Sequence, residues 1–195
     1  MNGPVLPGPA SPGPADYSIS MLRANLVGLP LFVLMMGAVV APFLLSNGTP
    51  AFILGINGSL TLWVFLLWIA IGTVAHEALH GVGWVVAGNR SFRSVRFGFY
   101  WKTLTPYAHF TEPITASAYR IGIVLPGIVV GLGPALAGYA LNHPAAVLFG
   151  GLFFGAAAVD ALGLWAVRNI PAGTLVLDHP TRVGCRIVSS QELPQ

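Results

Sequence analysis

His76 and His80 stand four residues apart, with Glu77 between them, in the run His76-Glu77-Ala78-Leu79-His80. On an α-helix residues four apart share a face, so both imidazoles project the same way and can meet one ion. Two His at this spacing with an adjoining Glu form the HExxH pattern, in which the imidazoles ligate zinc and the carboxylate is a general base. A catalytic zinc site takes three protein ligands and keeps a fourth position for water. The chemistry implied is hydrolysis: Glu77 takes a proton from that water as it attacks a carbonyl and passes it to the leaving amine. The longer HExxHxxGxxH pattern does not continue here. Gly83 fits it, but Val86 stands where its third His would be.

The setting narrows the reading. The pattern lies in an apolar run from Leu60 to Ala87, and about 20 such residues suffice to cross a bilayer. The whole 195-residue chain is 55% hydrophobic and only 8% charged, against about 25% charged residues in soluble domains. Such a chain cannot cover itself with polar surface, so a lipid bilayer is its expected solvent. The net charge of +3 is better explained by membrane topology than by nucleic acid, and no nucleic-acid partner is expected. The single cysteine, Cys185, excludes an internal disulfide and a Cys-based zinc cluster.

The expected fold class is an all-α membrane protein with four transmembrane helices, a short β-hairpin-like segment after the second, and a small cytoplasmic C-terminal tail. Residues 1–20 read as a disordered Gly/Pro-rich tail. Residues 21–167 form the membrane domain, with spans at about 26–45, 60–87, 118–141 and 145–167. Residues 46–59, uncharged and rich in Gly and Asn, read as a connection lying in the interface. Gly88-Asn89 stops the second helix. Ser91 to Thr115 carries interleaved aromatic and basic residues, and its alternation predicts two short strands whose edges could hold an unwound peptide. Pro126-Gly127 and Gly131-x-Gly133-Pro134 predict a kink or local unwinding in the third span. Residues 168–195 form a tail with short strands that caps the membrane part.

With four spans, every Lys and Arg falls on one side, and the positive-inside rule places that side and both termini in the cytoplasm. Trp84 and Trp165 then sit near the inner helix ends, as interfacial aromatics do. The same topology supplies a third ligand. Of the six acidic residues, only Glu77 and Asp160 lie within spans, where a charge costs about 2.5–3.5 kcal/mol and marks function or a buried pair. His80 and Asp160 each precede the inner end of their span by about seven residues, roughly 10 Å of helix. Two helices running the same way therefore hold them at one depth. His76, His80 and Asp160 are the expected ligands of a zinc ion (Zn2+). Asp160 could instead pair with Arg168, and His109 and Glu112 are the other candidates for third ligand or for substrate contact. His143 and His179 receive no catalytic role.

These residues resemble the putative zincin peptidase family of integral membrane proteins, itself distantly similar to the site-2 protease intramembrane metalloproteases. The likeness rests on HEALH in an early span, the segment Tyr107-Ala108-His109-Phe110-Thr111-Glu112-Pro113-Ile114, the Leu125-Pro126-Gly127 helix, and Asp160 in Ala158-Val159-Asp160-Ala161-Leu162. It covers about residues 60–188. It implies a core of three helices, zinc on His76, His80 and Asp160, a catalytic Glu77, and a hairpin that handles substrate. Asp160 is followed by Ala161, where site-2 proteases usually carry Asp-Gly.

The expected function is an integral-membrane zinc endopeptidase cutting membrane-associated or transmembrane peptides near the cytoplasmic face. Two other classes compete. A non-catalytic membrane binding or chaperone-like protein on the same fold has no need of Glu77. A proton or ion relay would need more intramembrane acids than two.

Overall fold

The structure is a computed structural model that describes residues 15–59, 62–101 and 105–188. The expectation for residues 1–14 lies outside them. Residues 16–20, expected in the N-terminal tail, instead form β1 (Asp16–Ser20). Helices follow as α1 (Met21–Asn47), α2 (Thr49–Ser59) and α3 (Leu62–Gly88). The uncharged connection is thus helical, not a loop. Asn89, at φ 50°, ends α3 in the left-handed conformation, as the Gly-Asn stop predicts.

The hairpin comes next, as β2 (Val95–Tyr100) paired antiparallel with β3 (Thr105–Phe110). A short β4 (Ile114–Thr115) leads into α4 (Ala116–Pro126), whose first turn is capped by the Thr115 hydroxyl accepting the Ala118 N–H. The Pro/Gly-rich stretch is not unwound. Gly127–Leu132 is a π-helical turn, and α5 (Gly133–Ala140) continues from it. Wider winding absorbs the Pro and Gly without breaking the rod. Then come α6 (Pro144–Ala156), capped by His143 accepting from Ala146, and α7 (Ala158–Ala166), separated by a break at Ala157. The last elements among the described residues are β5 (Leu175–Asp178) and β6 (Arg182–Ile187).

The fold is therefore mostly helical, with the expected hairpin as one small sheet, and the expected tail strands join β1 and β4 in a second sheet that the all-α class did not include. The second sheet has strand order β1-β6-β5-β4, antiparallel throughout. It joins the two ends of the described residues beside the hairpin. Four helical rods, 21–47, 62–88, 116–140 and 144–166, are long and apolar enough to cross a membrane.

Their burial is inverted relative to a soluble helix. On α3, Leu62, Trp63, Leu66, Leu67, Ile71 and Val74 face outward, while His76, His80 and the small Gly72, Gly81 and Gly83 face in. Small residues let the helices approach closely. A Cβ on Gly83 would lie 2.6 Å from Gly122 Cα on α4, and one on Gly72 would strike Phe153 on α6. One apolar core joins α3, the hairpin, α4 and the four-stranded sheet around Phe110, Tyr119 and Val176. A second joins α1, α2, α5 and α6 around Phe43 and Val147.

Candidate metal centre

The helical spacing does what the sequence requires of it. His76 and His80 project from one face of α3, both buried, and α7 brings Asp160 against them. His76 Nε2 is 3.0 Å from Asp160 Oδ2, and His80 Nε2 is 3.3 Å from Asp160 Oδ1. One candidate ligand atom from each residue lies within 4.8 Å of the other two. The equal depths argued from helix length are thus realised as contact. Arg168 turns away from Asp160. It donates to the Trp165 carbonyl and lies over the Trp165 ring.

The imidazoles are oriented from behind. His80 Nδ1–H donates to the Gly122 carbonyl at 2.9 Å, which leaves Nε2 with its lone pair aimed at the cluster. Holding the far ring nitrogen this way fixes the tautomer and raises the ligand's basicity. The His80 ring stacks on Trp84 at 5.4 Å, and Trp84 stacks on Tyr119 at 5.8 Å and donates its indole N–H to the Tyr119 carbonyl. Trp84 is therefore a buried brace for His80. The interfacial place expected for it is wrong, because its face of α3 packs on α4. Trp165 is 63% exposed, as an interfacial residue would be.

Two imidazole nitrogens and a carboxylate oxygen form a donor set suited to zinc. His76 Nδ1 is buried without a hydrogen-bond partner. Two imidazole nitrogens that converge on one buried carboxylate make a costly group unless a cation completes it. The residues present therefore fit the ion that the sequence implies.

Glu77 leaves α3 toward a cavity of about 210 Å³ that also reaches His76, His80 and Asp160. The Ala108 N–H of β3 hydrogen-bonds its carboxylate. The hairpin forms one wall of this cleft, and the β5–β6 turn, residues 179–181, forms another.

His109 and Glu112 are not part of the metal cluster. His109 lines the cleft, with Nδ1 2.7 Å from Asp178 Oδ2. Glu112 sits at the base of the hairpin, where it accepts from the Ser94 hydroxyl and lies 3.9 Å from Arg90 Nε. His143 caps a helix, and His179 lines the cleft turn.

Asp178 escaped the sequence reading. It accepts from His109 Nδ1, from the Phe110 N–H at 3.2 Å and from the Tyr119 hydroxyl at 2.6 Å. The one available signal was an acid closing the apolar run Leu175-Val176-Leu177. The bracing of His80 by Trp84 was signalled by their spacing of four on one helix.

The family comparison falls on the same region. Residues 69–175 match the model of a family described as putative zincin peptidase. The match covers more than half of the chain and includes the HExxH pattern, the hairpin and Asp160. No curated protein and no solved structure matches the chain, and no match supports the expected similarity to site-2 proteases. A mostly helical chain whose matched region holds His76, Glu77, His80 and Asp160 in one cleft belongs to the putative zincin peptidase family.

Proposed function

We propose that this chain is a membrane-embedded zinc endopeptidase that cuts membrane-associated peptides near the cytoplasmic face, with His76, His80 and Asp160 as ligands and Glu77 as the base. The observation that carries the proposal is the meeting of Asp160 with both histidines across two helices, with Glu77 on the wall of the same cleft. Zinc, when bound, supplies a Lewis acid that polarises a carbonyl and makes water a better nucleophile at neutral pH.

The protein's own residues supply positioning and proton transfer. Glu77, held at the cleft wall by the Ala108 N–H, takes a proton from water as the water oxygen bonds to the carbonyl carbon. The proton passes to the amide nitrogen as the C–N bond breaks. The Gly122 carbonyl keeps the His80 imidazole from turning, and the buried setting keeps bulk water away.

The membrane placement is supported by the four long apolar rods and their outward-facing apolar side chains. Arg90, Arg93 and Arg96 adjoin the hairpin end of the rods, and Arg182 lies in the four-stranded sheet. The positive-inside rule makes that end cytoplasmic.

The test compares zinc content and cleavage of a model transmembrane peptide for the unsubstituted protein, Glu77→Gln and Asp160→Ala. The proposal requires Glu77→Gln to keep zinc and lose cleavage, and Asp160→Ala to lose both. Full activity in Glu77→Gln would end it. Zinc binding by Asp160→Ala equal to that of the unsubstituted protein would remove Asp160 from the ligand set.

A further inference from the structure

The cleft wall made by β3 has an unusual hydrogen-bonding character. Thr111 donates its N–H to the Ser94 carbonyl, and the β2–β3 register alternates from there. His109, Tyr107 and Thr105 therefore turn their backbone groups toward β2, while Phe110, Ala108 and Pro106 turn theirs outward. None of the outward positions has a free donor. Pro106 lacks an N–H. The Ala108 N–H is held by Glu77, and the Phe110 N–H by Asp178. The outward edge keeps its carbonyls, so it presents acceptors only.

His109 extends the same character. Asp178 receives three donors, the His109 ring among them, and a carboxylate so engaged acts as an acceptor. His109 Nδ1 therefore carries the hydrogen. The other ring nitrogen, Nε2, is the one left for the cleft that His109 lines. In neutral imidazole that nitrogen is an acceptor. Asp178 is fixed in turn by Tyr119, whose hydroxyl also lies 3.0 Å from the Gly184 carbonyl of β6.

We propose that His109 Nε2 accepts a backbone N–H of an extended peptide lying in the cleft, and that Asp178 is the positioning residue that sets the tautomer for this contact. The proposal rests on the peptidase reading and adds a specific contact to it. A backbone edge with no free N–H at these three positions favours a strand whose amide N–H groups face it.

The test is a binding measurement in the Glu77→Gln background, so that no turnover intervenes. The probe is a fluorescein-labelled extended Val/Ala peptide together with the series methylated at one backbone nitrogen at a time. His109→Ala is expected to weaken the parent peptide about tenfold while zinc content is unchanged. One N-methyl position should lose affinity with His109 present and lose nothing further in His109→Ala. Asp178→Ala, which releases Nδ1 and the ring tautomer, should weaken the parent peptide to the same degree, whereas Asp178→Asn should bind like its background, because its Oδ1 can keep the bonds from His109 Nδ1 and the Phe110 N–H while its amide donates to the Tyr119 hydroxyl. In the active background the loss should fall on KM, with kcat little changed.

Binding of the parent peptide by His109→Ala within twofold of its background overturns the proposal. So does a loss of affinity that leaves every N-methyl penalty intact, since His109 would then act only through the fold. Peptide binding with this His109 signature, but no cleavage by the unsubstituted protein, would refute the peptidase reading and uphold the contact. No peptide binding by any variant refutes both.

Discussion

Gly122 gives the sharpest test of how the metal centre is held. Its carbonyl orients His80, and its missing side chain lets α4 lie against Trp84. A Cβ added there would sit 2.1 Å from Trp84 Cδ1 and 2.3 Å from Trp84 Nε1. Ordinary contact begins near 3.4 Å, so a movement of about 1.3 Å is needed. The indole cannot supply it, because it is stacked between His80 and Tyr119 and bonded to the Tyr119 carbonyl. The helices must part instead. Overpacking of this kind costs about 1–3 kcal/mol. The 2.9 Å bond from His80 Nδ1 to Gly122 would stretch to about 4.2 Å, beyond hydrogen-bond range. Losing such an outer partner lowers metal affinity about 10–100-fold. Gly122→Ala should therefore show both a lower unfolding temperature in detergent and weaker zinc binding in competition with a chelating fluorophore. Gly37→Ala is the control, since a Cβ there meets nothing within 4 Å. Zinc affinity within twofold of the unsubstituted protein would refute the claim that this close approach sets His80.

Arg120 donates to the carbonyls of Val167, Arg168 and Ile170 just beyond α7, the helix that carries Asp160. Arg120→Gln should destabilise the protein by about 2–3 kcal/mol, measured by denaturant unfolding. Gly184 has φ 119°, and a Cβ there would lie 2.3 Å from the Tyr17 carbonyl. Gly184→Val should therefore free β1 and raise amide exchange across Tyr17 to Ser20. Burial pushes the Cys185 thiol up to about 12 from a usual value of 9.0. The folded thiol keeps its proton where the unfolded chain loses its own, so stability should fall as pH rises from about 9 toward 12. Cys185→Ala should flatten that slope, and native Cys185 should resist maleimide at pH 8.

The parts of the site set by helical periodicity were legible in the residues. The four-residue spacing of His76 and His80 requires one face, and counting residues to the helix ends was enough to level Asp160 with His80. The hairpin was legible from its alternation. The N-terminal strand was not, because Asp16 to Ser20 becomes a strand only through its partner β6, far along the chain. Asp178 was hidden for the same reason. Its meaning comes from His109, Phe110 and Tyr119, which tertiary packing alone brings to it. Trp84 looked interfacial by depth, but depth does not say which side of a helix faces lipid. The π-turn at Gly127 to Leu132 was legible as an irregularity. Its form depends on close packing against α6, where a Cβ on Gly131 would lie 2.9 Å from the Phe154 backbone.

The pairing of β1 with β6 sets an order of assembly. Asp16 lies opposite Arg186, so a strand made early waits for one made late. Contacts so distant in sequence form slowly. The histidines and Asp160 all precede β5 and β6 in the chain. The ligand cluster can thus come together while the wall bearing Asp178 and Gly184 is still to be built. A pulse of amide exchange during refolding should find β1 and β6 protected last. On this order, zinc added during refolding should be bound before β1 and β6 gain protection.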